Sequence, residues 1–129
     1  MGVIELARVY APDDGRDVPR FLVDRLWPRG VRRDELRLTD WLPEVGPSSR
    51  LRTWFSHQPD RWETFRRRYW AELEAHPEHW RALWDAAAAG DITLLFSSRD
   101  VEHNNAVALR EFLLESVHGS RAPGPGDQP

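Results

Sequence analysis

Two short apolar segments, residues 21–23 and 91–96, each become abruptly polar at their carboxyl ends. Several consecutive apolar residues are typical of strands that are covered on both faces of a parallel sheet. The interval between the two segments carries helical patterns and is long enough for a crossover connection, which makes the two strands parallel neighbours. This pairing predicts an α/β fold with both polar strand ends at one edge of the sheet.

The remaining segments predict a small domain around that sheet. Residues 3–10 are β-prone and join it as a further strand. Helix starts are predicted at Thr39 for a segment that runs to Val45, at Ser48 or Ser49, at Pro59, at Pro77 and after the polar segment 97–105. We therefore expect a single three-layer-like α/β domain over residues 1–118, with a short, mainly parallel sheet of about three strands and four to five helices. Residues 119–129 contain three prolines and three glycines and are predicted to form a disordered tail.

The composition excludes several classes of function. The absence of cysteine rules out thiolate nucleophiles, disulfides and cysteine-bound metals. A net charge of −3 argues against generic nucleic-acid binding, which usually requires a basic domain. The sequence has no signal-peptide pattern, no apolar stretch of membrane-spanning length and no glycine-rich phosphate loop. These features predict a cytoplasmic protein with no cofactor, no membrane partner and an oligomeric state that the sequence leaves open.

The polar strand ends carry the candidate site, because open α/β sheets bind ligands beyond the carboxyl ends of their strands. Arginine holds phosphate or carboxylate through paired hydrogen bonds, and histidine titrates near neutral pH. A histidine and an aspartate together can transfer a proton. We therefore predict acid–base roles for Asp24, Asp100 and His103, and ligand-binding roles for Arg25, Trp27, Arg29, Arg99 and Asn104. No metal is required, although two aspartates and a histidine are able to recruit one.

Structural roles compete with these functional ones. Asp100 or Asn104 is also a suitable cap for the last helix, and Asp24 and Arg25 can form a buried ion pair with Arg99 or Asp100. His57, in a turn between two helices, either packs or points into the cleft, and packing is the favoured prediction. His76 and His79 are three residues apart with no further ligand evident in the sequence, which indicates the exposed start of a helix.

Three long motifs resemble the YeaO-like family of bacterial proteins, a domain of unknown function. They are Asp24-Arg25-Leu26-Trp27-Pro28-Arg29-Gly30, the segment from Leu51 to Tyr69 with Trp54, Phe55, His57 and Trp62, and the segment from Leu94 to Ala106 with Asp100, His103 and Asn104. The resemblance spans roughly residues 3 to 115 and implies a small α/β protein without an established activity. It supports the same polar strand ends as the site and assigns no roles to them. Gln58 and Asn105 depart from the family pattern, and Asn105 stands where a second histidine is common.

Two hypotheses about function follow. The favoured one is an enzyme or enzyme-like binder of a small anionic ligand at the strand ends. The alternative is a non-catalytic module that binds a protein or a nucleic acid through Arg61 and residues 66–68. The first is preferred because the polar residues converge at the sheet edge and are not spread over a face.

Overall fold

A computed structural model describes residues 1–117 of the chain and contains a four-stranded parallel sheet. The strands β1 to β4 are Ile4–Arg8, Arg20–Leu22, Asp40–Trp41 and Ile92–Phe96, and their order across the sheet is β1-β4-β2-β3. β4 pairs in parallel with both β1 and β2, which confirms that the second and third predicted strands are parallel neighbours. The carboxyl ends of β1, β4 and β2 therefore lie at one edge of the sheet.

Helices cover one face of the sheet. Their bounds are Ser49–Phe55 for α1, Trp62–Ala75 for α2, Pro77–Ala89 for α3 and Asn105–Val117 for α4, with single 3-10 turns at Arg33–Glu35, Pro43–Val45 and Pro59–Arg61. Ile92 and Leu94 of β4 lie in the main core together with side chains of all four helices. Because one face of β4 meets the helices and the other meets a second cluster, every residue of this strand is buried. This double burial explains why β4 is apolar at every position except Thr93.

The opposite face of the sheet is covered by loop. Leu22 and Leu95 pack there against Trp27 and Trp41, whose rings meet edge to face with their centroids 5.4 Å apart. The guanidinium of Arg33 lies 4.7 Å above the ring of Trp27. The fold is the expected small α/β domain, and its third layer is formed by the segment between β2 and β3.

The segment from Thr39 to Val45 differs from the prediction. It was expected to be a helix capped by Thr39, but it contains the edge strand β3 followed by a 3-10 turn. The Thr39 amide donates to the Arg20 carbonyl over 2.7 Å, and the Thr39 hydroxyl accepts from the Arg20 amide. The free edge of β2 provides hydrogen-bond partners for the backbone of this segment. Tertiary pairing therefore overrides the local helical signal.

The other helix starts agree with the sequence. Ser48 caps α1 by accepting from the Leu51 amide, Pro59 begins the 3-10 turn that leads into α2, and Pro77 is the first residue of α3. Within residues 1–117, no helix combines the length and apolarity needed to span a bilayer. The predicted disordered tail lies outside the described residues.

Candidate functional site

A cavity of about 720 Å³ lies at the carboxyl ends of β1, β2 and β4. Its walls come from the loop after β2, the end of α1 and the segment between β4 and α4. Of the eight site residues predicted from the sequence, all but Asp100 line the cavity. These seven are Asp24, Arg25, Trp27, Arg29, Arg99, His103 and Asn104. The parallel arrangement of β2 and β4 is what brings these distant segments together.

Asp24, two residues beyond β2, is the best-anchored polar group of the cavity. Its carboxylate accepts from the Ser97 amide over 3.0 Å, from the Ser97 hydroxyl over 2.6 Å and from the Asn105 side-chain amide over 3.2 Å. Burial raises the pKa of the Asp24 carboxyl, and the hydrogen bonds from Ser97 and Asn105 oppose that rise. Asp24 thus ties the ends of β2 and β4 to the start of α4.

The pH dependence of stability should carry a signature of Asp24. Its raised pKa means that the folded protein binds this proton more tightly than the unfolded chain, so the stabilisation is fully present below the ordinary pKa and is lost as pH rises through the raised one. We expect the free energy of unfolding of the wild type, measured relative to Asp24→Asn, to fall as the pH rises above about 4, the ordinary pKa of an aspartate. Urea titrations of both proteins at increasing pH measure it. A difference that does not change with pH contradicts the expectation.

Asp100 and His103 form a second polar pair in the turn before α4. The Nδ1 atom of His103 lies 3.0 Å from one carboxylate oxygen of Asp100, whose other oxygen accepts from the Glu102 and His103 amides. The Glu102 amide first, and then His103, hold the pKa of the Asp100 carboxyl below its usual range. With Nδ1–H donating to Asp100, the His103 ring is oriented and its Nε2 can accept a proton or a hydrogen bond.

The arginines of the cavity fall into two groups. Arg8 donates to the carbonyls of Ser98 and Ser97, and Arg25 donates to the carbonyls of Pro47 and Gly46 over 2.8 and 2.9 Å. Their guanidinium groups are therefore used to hold loops. Within residues 1–117, the guanidinium groups of Arg29, Arg52 and Arg99 have neither a hydrogen bond nor an ion pair. These three are available to a ligand.

Three residues predicted to bind the ligand have a structural role in the fold. Arg25 anchors backbone carbonyls and forms no ion pair with Asp100. The indole N–H of Trp27 donates to the Val31 carbonyl over 2.6 Å. Asn104 is buried; it caps α4 by accepting from the Val107 amide and donates to the Asp100 carbonyl. Their hydrogen-bonding groups are already paired within the fold, and the ligand-binding roles expected for them stay predictions.

The cavity also contains residues that the sequence reasoning did not include in the site. Arg8, Arg52, Ser97 and Asn105 line it, and their positions depend on β1 and α1 meeting the ends of β2 and β4. Arg52 does not follow a strand, so the prediction from polar strand ends did not include it. The resemblance motifs, which contain Arg52, were the only signal for it.

His57 lies on the cavity wall, exposed, and the prediction that it packs inside is wrong. Ser56 and His57 both have left-handed backbone conformations, with φ of 47° and 56°. Such conformations are costly for residues other than glycine, and they concentrate at functional sites. This strained turn directs the chain so that the His57 ring lines the cavity, 6.4 Å from the ring of Phe55.

Comparison with known proteins places the chain in a family. Residues 3–129 match a family model described as the inactive DUF488-N3 subclade. The chain belongs to the DUF488 family. It is 40% identical over 110 residues to the uncharacterized protein YeaO of Escherichia coli K12, covering 85% of this chain and 96% of that protein. It is 38% identical over 119 residues to the uncharacterized protein Rv3073c of Mycobacterium tuberculosis H37Rv, covering 85% of this chain and 92% of the relative. No solved structure matches the chain.

The family assignment confirms the YeaO-like resemblance, and the named relatives are uncharacterized. In this DUF488 member, Asn105 occupies the position beside Asp24. Its side-chain amide donates to the Val23 carbonyl over 3.0 Å and to the Asp24 carboxylate. An amide orients a carboxylate but does not exchange protons with it near neutral pH.

Metal-binding potential in this family member lies outside the cavity. Among residues 1–117, the described group of three His or carboxylate side chains whose ligand atoms converge is His76, Glu78 and His79. Asp24, Asp100 and His103 do not form such a group, because Asp24 is bonded to Ser97 while Asp100 is bonded to His103.

Proposed function

We propose that this protein binds a small anionic ligand, bearing a phosphate or a carboxylate, in the cavity at the strand ends. The observation that carries the proposal is the convergence of three unpaired guanidinium groups, those of Arg29, Arg52 and Arg99, on one cavity. Guanidinium groups bind phosphate and carboxylate through two parallel hydrogen bonds, and they are costly to bring together without a counter-charge. The Asp24 carboxyl, whose pKa is raised by burial and lowered in part by the charge of Arg52, offsets part of this positive charge, and an anion would offset the rest.

The cavity has the size and the polar partners for such a ligand. Its volume of about 720 Å³ lies within the range of small-molecule sites. His103, oriented by Asp100, presents Nε2 as a further hydrogen-bonding group. Arg8 and Tyr10 stack at the rim, with the guanidinium 4.8 Å from the ring centroid. The ligand would therefore be bound by fixed charges at one end and by polar and aromatic groups around it.

Binding without turnover is the role that these features favour. The matching family model is described as inactive, and the chain has no cysteine to act as a nucleophile. The Ser97 hydroxyl donates to Asp24, so it is not activated by a histidine. Asn105 gives Asp24 an amide partner that does not transfer protons. We infer a binding protein that retains an enzyme-like cavity.

The arginines of α2 support the alternative function less well. Arg66 forms ion pairs with Glu63 and Glu111, and Arg68 lies 4.7 Å from the centroid of the Trp54 ring. Arg61 donates to the Trp54 carbonyl. Arg67 is exposed and, within residues 1–117, forms neither a hydrogen bond nor an ion pair. The ion pairs of Arg66 and the intramolecular contacts of Arg61 and Arg68 therefore leave this surface with fewer freely available guanidinium groups than the sequence suggests.

Thermal stabilisation by anions tests the proposal. We expect inorganic phosphate, pyrophosphate or citrate to raise the melting temperature saturably at constant ionic strength, because a ligand of the folded state stabilises it by mass action. Arg52→Ala and Arg99→Ala should each weaken binding by roughly 10-fold or more, since each removes a charge-assisted hydrogen-bonding partner. Isothermal titration of the best anion measures the dissociation constants.

Arg50→Ala is the matched control for these variants. Arg50 lies on α1 two residues from Arg52, is exposed and does not line the cavity, so its replacement changes the net charge equally. Binding that is lost in Arg52→Ala and Arg99→Ala and kept in Arg50→Ala supports the cavity as the site. Equal weakening in all three variants, or no saturable effect of any of the three anions, argues against it.

A further inference from the structure

The junction between α2 and α3 holds a compact group of three metal-ligating side chains, separate from the cavity at the strand ends. One carboxylate oxygen of Glu78 lies 3.0 Å from His76 Nδ1 and 3.7 Å from His79 Nε2. All three ligand atoms are within 4.8 Å of one another. The sequence alone suggested two histidines without a further ligand, and the structure adds Glu78 as the third.

The backbone of this junction holds the group in place. The His76 amide donates to the Leu73 carbonyl, and the His79 amide donates to the His76 carbonyl. Pro77, between the two, is the first residue of α3 and has a fixed φ. The rings of His76 and His79 stack nearly parallel, 4.7 Å apart at an angle of 11°. The backbone and the ring contact therefore keep the two imidazoles side by side next to Glu78.

We propose that His76, Glu78 and His79 form a binding site for a divalent transition metal of the Zn²⁺ type. Two imidazoles and one carboxylate form a ligand set that Zn²⁺ uses in open sites, where water occupies the fourth position. Tetrahedral Zn²⁺ with bonds of about 2.0–2.1 Å holds its ligand atoms roughly 3.3 Å apart. The Glu78 carboxylate oxygen lies 3.0 Å from His76 Nδ1 and 3.7 Å from His79 Nε2, on either side of that separation. Small side-chain rotations therefore suffice to bring the ligand atoms to the spacing that Zn²⁺ needs.

The surroundings of the group favour a cation. A cavity of about 270 Å³ next to it is lined by His76 and His79 together with Glu44 and Glu72, which gives room for metal-bound water and a negative field. Arg25 also borders this cavity and keeps its positive charge while it donates to the carbonyls of Gly46 and Pro47, so the two carboxylates exceed it by one charge. In contrast with the arginine-lined cavity at the strand ends, this surface attracts positive ions.

Titration of the full-length chain with zinc chloride, after removal of any histidine tag, tests the site. We expect a saturable 1:1 isotherm and, with Co²⁺, visible absorption bands of low-coordinate geometry. His76→Ala, His79→Ala and Glu78→Gln should each weaken Zn²⁺ binding by at least roughly 10-fold, the scale of losses seen even for supporting residues of metal sites. His57→Ala, which removes a histidine outside the group, should bind Zn²⁺ as the wild type does.

Control measurements distinguish loss of the metal site from loss of the folded structure. Circular dichroism and thermal melting of each variant establish that it is folded, which is expected because the three side chains lie at the surface. Loss of binding in the three ligand variants with retention in His57→Ala supports the site. Zn²⁺ binding that survives in any of the three, or the absence of a saturable isotherm for the wild type, overturns it.

Discussion

Asp24→Ala should destabilise the protein by about 3 kcal/mol at neutral pH, because it leaves buried donors without an acceptor. The Asp24 carboxylate accepts from the amide and the hydroxyl of Ser97 and from the side-chain amide of Asn105. These bonds connect the end of β2 to the end of β4 and to α4, so their loss affects the centre of the fold. For a domain of this size the melting temperature should fall by roughly 10 °C.

Asp24→Asn is the informative comparison for this prediction. Asparagine keeps one carbonyl oxygen for the Ser97 amide and removes the buried charge, so its destabilisation should be less than half that of Asp24→Ala. Urea unfolding of both variants and the wild type gives the free energies. If the two variants are equally stable, or if Asp24→Ala is as stable as the wild type, the carboxylate does not connect the strand ends.

Arg25→Ala should destabilise the protein by about 2 to 4 kcal/mol while leaving anion binding largely intact. The Arg25 guanidinium donates to the carbonyls of Pro47 and Gly46. Gly46 packs so closely on the Arg25 backbone that an added Cβ would lie 2.8 Å from the Arg25 amide nitrogen. The arginine therefore fixes the segment that leads into α1, and its role is to support the cavity wall.

Two variants, Arg25→Lys and Arg50→Ala, are the controls for this prediction. Lysine keeps the positive charge and can reach one carbonyl. The stability of the Arg25→Lys protein should therefore lie between those of Arg25→Ala and the wild type. The free energy of unfolding of Arg50→Ala should be within about 0.5 kcal/mol of the wild-type value because Arg50 is exposed. Phosphate titration well below the melting temperature should give Arg25→Ala a dissociation constant within about threefold of the wild type. A large loss of binding at unchanged stability would instead make Arg25 a ligand-binding residue.

The predicted elements with strong local signals agree with the structure. Ser48 as a helix cap, Pro77 as a first helical residue and the apolar β4 each depend on interactions within a few residues or on burial that the composition reveals. β3 was missed because its two residues are defined by pairing with β2 and have little strand character of their own. Its backbone partner is supplied by a segment about twenty residues away, which no local pattern encodes.

The sequence predicted the edge of the sheet where the polar side chains gather, but not the contacts that each of them makes. The polar ends of β2 and β4 were visible in the sequence, and their parallel pairing placed Arg29, Arg99 and His103 around one cavity. Arg52, on α1, was not predicted as part of the site, and for His57, in the turn after α1, the sequence favoured packing over the cleft. Which arginines are unpaired depends on loop carbonyls contributed by Pro47 and Ser98.

The sequence by itself determined the α/β class, the parallel arrangement of β2 and β4 and the edge of the sheet where polar groups gather, because hydrophobic periodicity and connection length constrain these directly. Only the tertiary structure decided that Arg25 and Asn104 support the fold, that Arg52 faces the cavity and that Glu78 joins His76 and His79. The reason is physical: the role of a polar side chain depends on which distant donors and acceptors it meets, and those distances are set when the elements pack.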